Sequence, residues 1–286
     1  RDAEIACLND IQGGADETTC RQQLAKALTA LDDDFAFVAR CNLGSEAMIP
    51  EDQQRLLAVA QRTWQRTLDD RLGLSWEELQ RHPQAVTLPL PVTEHVLADK
   101  PQHRIERPPH DQMPKDARVA EPKLLYNQGE LYNLRVGYGT LTEEERFKIN
   151  QHIVQTEVML RQLPFPPYLA NVPEIAAGHH EKLDGTGYPK GLHQDQLRPE
   201  TRMLAIADIF EALTASDRPY KTGKTLSEAV EILHRMGQRG HIDRDLFALF
   251  LSSGVYQTYA QRYMHPDQID EVPVAQYLSH LTQQTH

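Results

Sequence analysis

The amino-acid sequence predicts an all-α protein, and three observations carry that prediction. Apolar residues recur at helical spacing through the first third of the chain. They do so again from Thr142 onward. Between these stretches, eight of the 18 prolines crowd into residues 83–122, where each would cost a helix interior on the order of 3 kcal/mol.

Taken in order, Leu24, Ala27, Leu28, Leu31, Phe35 and Val38 share one helical stripe, and Leu57, Ala60, Trp64 and Leu68 share a second. Pro50 suits the start of that second helix, and Ser75 with Glu78 matches a capping box for a third, short one. Residues 1–82 are therefore expected to be a helical region with a solvated, mixed-charge surface. Residues 83–138 are expected to be a Pro-rich irregular connection lying against the helical body. Within it, "KLLYNQGELYNLRV" reads as a short hairpin around Gln128 and Gly129.

From Thr142 the helices return. "TEEE" supplies an N-cap and a Glu at the third helical position, and Ile149, Ile153, Thr156, Leu160 and Leu163 form the stripe behind it. A second helix begins near Asn171, with Pro173 in its first turn and Glu174 as box partner. A third covers about 198–216, and two more follow around 225–237 and 243–253, with Gly254 suited to end the last.

Composition narrows the class. At 286 residues, 40 % apolar and 25 % charged, the chain is an ordinary globular one with ample core. No apolar run approaches the roughly 18 residues of a membrane span, and no signal peptide is visible. The chain starts at Arg1 rather than Met, so it is expected to be a piece of a longer protein. Cys7, Cys20 and Cys41 are too scattered for a disulfide framework and read as reduced thiols of a cytosolic protein. A formal charge of −11 argues against DNA or RNA as partner, but leaves room for an anionic ligand held by local positive charge or by metal ions.

Several side chains could carry chemistry. His152 sits at the edge of its helix's apolar stripe, a place for a half-buried histidine or for a ligand. His179 and His180 fall at the C-terminal end of the next helix, where neighbours point about 100° apart. They would then face different ions, or one would face metal and the other substrate, instead of chelating one ion together. Asp208, in "MLAIADIFEALTA", points away from Met203, Ile206, Phe210 and Leu213, onto a face with Ala205, Ala212 and Ala215 that another helix can approach closely. A carboxylate in such a seam needs a cation. "DGTGYP" is a sharp turn in which Gly185 and Gly187 allow positive φ and Pro189 extends Tyr188 beside the His pair. Arg218, Lys221 and Lys224 then gather positive charge suited to phosphate oxygens.

Together, "HHEKLDGTGYPKGL", "RMLAIADIFEALTASDRPYK" and "GTLTEEERFKINQHI" resemble the signature of the HD-GYP domains, a bacterial branch of the HD metal-dependent phosphohydrolases, from about Gly139 to Met236. The resemblance implies the C-terminal portion of an HD-domain-like helical bundle over residues 139–286, with 1–138 as an insertion. It implies a signalling phosphodiesterase that opens cyclic di-GMP with two or three iron or manganese ions. Carried over, His152, His179, His180 and Asp208 are metal ligands, Arg218 and Lys221 hold phosphate, and Tyr188 shapes the pocket. No protein nucleophile is implied beyond a metal-bound water. The turn of Gly185, Gly187, Tyr188 and Pro189 is a candidate docking surface for diguanylate cyclase domains, and a non-catalytic module acting through it is the alternative reading. A cytoplasmic setting, as part of a multidomain sensor or response protein, and an optional homodimer complete the expectation. The family's His-Asp pair has no clear counterpart. His110-Asp111 follows two prolines, and Lys115 falls one position late, so the true pair is expected upstream of Arg1.

Overall fold

Five of the described α-helices start on a side-chain cap, at Asp16, Ser75, Thr142, Thr225 and Asp243. The structure, a computed structural model, describes residues 1–45, 47–82, 89–109, 111, 113–114, 116–215 and 223–282. Helices α1 (Asp2–Gln12) and α2 (Glu17–Leu43) pack as a hairpin, with the Asp16 carboxylate accepting the Thr19 N–H at 2.8 Å as N-cap. α3 (Pro50–Ala60) starts on Pro50 as expected. It stops before Trp64, which lies in strand β1 (Thr63–Arg66) and not on a continuing helix. Trp64 and Leu68 are 43 % and 66 % exposed, so no buried face rewards helix propagation beyond Ala60. The capping box of Ser75 and Glu78 forms and starts α4 (Trp76–Arg81).

The Pro-rich stretch is more ordered than expected. β2 (Val92–His95) pairs antiparallel with β1, and β3 (Arg104–Glu106) pairs with β4 (Leu124–Asn127). The hairpin expected around Gln128 and Gly129 does not form. Asn127 accepts the Gly129 N–H through Oδ1, and Asn133 donates to the carbonyls of Asn127 and Gly129, which turns the chain into α5 (Glu130–Leu134) instead.

α6 (Glu143–Arg161) opens with the expected box, Glu145 accepting the Thr142 N–H at 2.9 Å. Its buried face is rotated from the expected stripe. Phe147, Gln151, Val154 and Glu157 are buried together with Ile153, while Ile149 and Leu163 are about half exposed. α7 (Val172–Ala177) has Pro173 in its first turn, but Asn171 makes no side-chain cap bond. α8 (Pro199–Thr214), α9 (Leu226–Gln238) and α10 (Arg244–Ser252) fall where expected, the latter two capped by Thr225 and Asp243. Gly254 takes φ 72° just beyond α10. α11 (Val255–Tyr263) and α12 (Val274–Thr282) extend the helical body past the reach of the sequence reading.

The chain divides into two units, Arg1–His110 with Pro122–Arg146, and Asp111–Glu121 with Phe147–His286. The first is centred on Phe37, Leu56 and Val59. The second has the larger core, in which Ile206, Phe210, Val230, Leu233, Phe247 and Tyr256 are 3 % exposed or less. Among the described residues no helix is long and apolar enough to cross a membrane.

Candidate metal centre

Within the second unit, three imidazoles converge. His152, His179 and His180 each present a ring nitrogen, and these atoms all lie within 4.8 Å of one another. The ring centroids of His179 and His180 are 4.1 Å apart, and those of His152 and His180 5.4 Å. The geometry corrects the helical expectation for the pair. α7 ends at Ala177 and Gly178 is its C-cap, so His179 and His180 sit in the turn beyond, free of the 100° helical step. A turn lets adjacent side chains point the same way.

His152 is on α6 but exposed, not half-buried at a helix seam, because the buried face of α6 is rotated away from it. Its Nδ1–H is engaged by the Ile149 carbonyl, and that of His179 by the Ala176 carbonyl at 2.7 Å. A backbone acceptor at Nδ1 fixes the tautomer and leaves the Nε2 lone pair for a cation. At ligand distances of about 2.0–2.1 Å, donors this close need only a small closure to share an ion. His179 and His180 are both half-buried, the His180 side chain 22 % exposed. Burial, then the neighbouring His179, push its pKa down to about 4 against the pull of Asp208, with His152 adding to the downward shift. An imidazole held neutral is a ready ligand.

Asp208, on α8, places Oδ2 3.9 Å from His180 Nδ1 and remains 41 % exposed. Tyr188 stacks on His180 with centroids 4.8 Å apart at 20°. Burial, and secondarily Asp208, raise its phenol pKa. The structure thus brings together His152, His179, His180, Asp208 and Tyr188. Arg218 and Lys221 lie outside the described residues, as do His110 and Lys115. Asp111 is described, and its carboxylate accepts from Gln151 at 3.1 Å and from Lys148 at 3.5 Å rather than joining the imidazoles.

The turn that carries Tyr188 is built differently from its sequence reading. Gly185 does take φ 76°, with the His193 ring against it, but Gly187 has no positive φ. A Cβ at Gly187 would meet Lys182 N at 2.3 Å and Glu181 Cα at 2.5 Å, so glycine is required there by space. Gly187 and Pro189 are buried, and the exposed residues of the turn are Asp184 and Thr186. Sequence reasoning passed over two buried acids. Glu181 accepts three backbone N–H groups from residues 190–192, and Glu157 receives Lys190 Nζ at 2.7 Å and Arg161 at 2.6 Å. The available signal for Glu181 was its place directly after the histidine pair.

Comparison with known proteins places the chain among relatives. A family model described as HD domain matches residues 91–246. A cyclic di-GMP phosphodiesterase of Pseudomonas aeruginosa is 39 % identical over 120 residues, covering 41 % of this chain and 28 % of the relative. A 3′3′-cGAMP-specific phosphodiesterase of Vibrio cholerae is 39 % identical over 111 residues, covering 38 % and 23 %. A cyclic di-GMP phosphodiesterase of Thermotoga maritima is 42 % identical over 93 residues, covering 32 % and 24 %. The matched stretch is about a quarter of the length of each of these relatives.

Proposed function

The chain belongs to the HD domain family, in its HD-GYP branch, and from that premise we propose that it carries the metal-binding part of a phosphodiesterase that opens a cyclic dinucleotide. The observation that carries the reading is the convergence of His152, His179 and His180 beside Asp208. In this reading His152 and His179 ligate through Nε2, and His180 and Asp208 complete the set. When bound, iron or manganese ions supply Lewis acidity toward the phosphodiester and acidify water. Tyr188, with its phenol pKa raised, stays protonated at neutral pH and offers a hydrogen bond without adding negative charge. Arg218 and Lys221 take phosphate oxygens, which suits their fixed positive charge.

Three imidazoles and one carboxylate do not saturate two ions that each take about six donors. The reading therefore includes further donors from another segment or a partner chain. It also includes a cytoplasmic setting, and a diguanylate cyclase domain docked on the turn through Asp184 and Thr186. Cyclic di-GMP is the proposed substrate, in line with the names of the Pseudomonas and Thermotoga relatives. The Vibrio relative favours 3′3′-cGAMP as the second reading. The two differ in one base, so both fit the same phosphate chemistry.

The test is metal per chain by elemental analysis after anaerobic, chelator-free purification, followed by hydrolysis of both dinucleotides. The wild type is expected to hold iron or manganese, and His180→Ala and Asp208→Ala to hold less. Unchanged stoichiometry in both variants would refute the ligand set. Preferential cleavage of 3′3′-cGAMP would select the second substrate.

A further inference from the structure

Glu181 is 4 % exposed, and its carboxylate faces the backbone. Oε1 accepts the N–H groups of Lys190 at 2.6 Å and Gly191 at 3.1 Å, and Oε2 accepts that of Leu192 at 2.9 Å. Three successive N–H groups on one carboxylate pin the far end of the turn to the residue that follows the histidine pair. Between the two pinned ends lie Gly187, tight against Glu181, and Tyr188, whose N–H reaches the His180 carbonyl at 3.3 Å. The same segment is tied to the His152 helix, because Lys190 Nζ lies 2.7 Å from Glu157 of α6.

We propose that Glu181 is a positioning residue for the imidazole cluster: its buried carboxylate clamps residues 190–192 and so presses the Tyr188 ring onto His180. The inference rests on the reading of the cluster as a divalent-metal site. A carboxylate suits the task because its two oxygens accept three N–H groups with capacity to spare. A glutamine of the same size keeps one acceptor oxygen and turns an NH₂ donor toward an N–H donor. The clamp then loses at least one bond, and the ring is released from His180.

The experiment is a cobalt(II) titration of the full chain, read by visible absorption, on wild type, Glu181→Gln, Tyr188→Ala and the double variant. Histidine ring resonances of the metal-free proteins, with His180 assigned by His180→Ala, form the second arm. Each single variant is expected to bind cobalt at least about tenfold more weakly with an altered spectrum, the range seen when groups supporting a metal ligand are removed. The double variant is expected to lose no more than the larger single loss, because both changes remove one contact. The His180 ring resonances move in both single variants as the stacked ring departs. Wild-type affinity and spectrum in Glu181→Gln would overturn the proposal, as would additive losses. If Glu181→Gln fails to fold, Tyr188→Ala decides alone, and unchanged cobalt affinity there overturns it. A wild type that takes up no cobalt refutes the metal reading. In that case the metal-free resonances still decide whether Glu181 holds Tyr188 on His180.

Discussion

Replacing Gly187 by alanine tests whether the turn beside the histidines is as tightly closed as its geometry implies. The new Cβ would sit 2.3 Å from Lys182 N, 2.5 Å from Glu181 Cα and 2.6 Å from the Glu181 carbonyl carbon. All three are backbone atoms, so no side chain can swing aside. Opening the 2.3 Å contact to even 3.0 Å requires the two limbs of the turn to part by about 0.7 Å. The Glu181 carboxylate resists that parting through its three N–H partners. Overpacking of this kind costs about 1–3 kcal/mol, and the absence of a flexible neighbour places Gly187→Ala toward the upper end. For a unit of this size the corresponding loss in Tm is on the order of 5 °C.

The sign is what makes the test sharp. A glycine-to-alanine change without a clash stabilises by about 0.4–1 kcal/mol by restricting the unfolded chain. Gly237 in α9 supplies that comparison, since its nearest contact for a new Cβ is 3.6 Å and it lies inside a helix. Urea and thermal unfolding of metal-free protein should show Gly237→Ala stabilised and Gly187→Ala destabilised. Displacement of the Tyr188 ring by a comparable distance should also weaken cobalt binding about tenfold or more, given how steeply site function falls with misplacement near 1 Å. A Gly187→Ala protein as stable as wild type, with unchanged cobalt affinity, would refute the closed turn.

Two further outcomes are expected. The pKa of His180 lies below its ordinary value, at about 4, chiefly through burial, so between roughly pH 6.5 and 4 the unfolded chain binds a proton that the folded one refuses. Stability of the metal-free protein should be full above that window and fall on acidification through it, by about 2 kcal/mol at pH 5. Urea unfolding at pH 7 and 5 checks this, and an equal loss in His180→Asn would contradict it. Leu233, with no exposure in the larger core, should cost about 2–5 kcal/mol as Leu233→Ala. The folded fraction of that variant should keep wild-type cobalt affinity by titration, and a lost affinity would mean that this core also sets the site.

Local signals were legible residue by residue. The Ser75–Glu78 and Thr142–Glu145 boxes start helices because each is complete within four residues and needs no distant partner. Pro50 and Gly254 are of the same kind. Burial was harder to read, because which face of a helix meets a core is decided by what packs on it. Ile149 and Leu163 belong to a regular apolar stripe and are nonetheless about half exposed, while Gln151 and Glu157 are buried. Trp64 continues a helical period and lies in a strand, where it pairs with Glu94, 30 positions away.

By itself the sequence determined a mostly helical body and marked out a candidate histidine site, because helical periodicity, capping and the run "HHEKLDGTGYP" are properties of neighbouring residues. Only the tertiary structure decided how that run is used. It took His179 and His180 off the helix, so that they converge with a histidine 27 positions earlier in the chain. It made Gly187 necessary by close approach and not by φ, and it turned Glu181 inward as the anchor of the turn. These are consequences of chain segments meeting in space, where a few tenths of an ångström decide what fits.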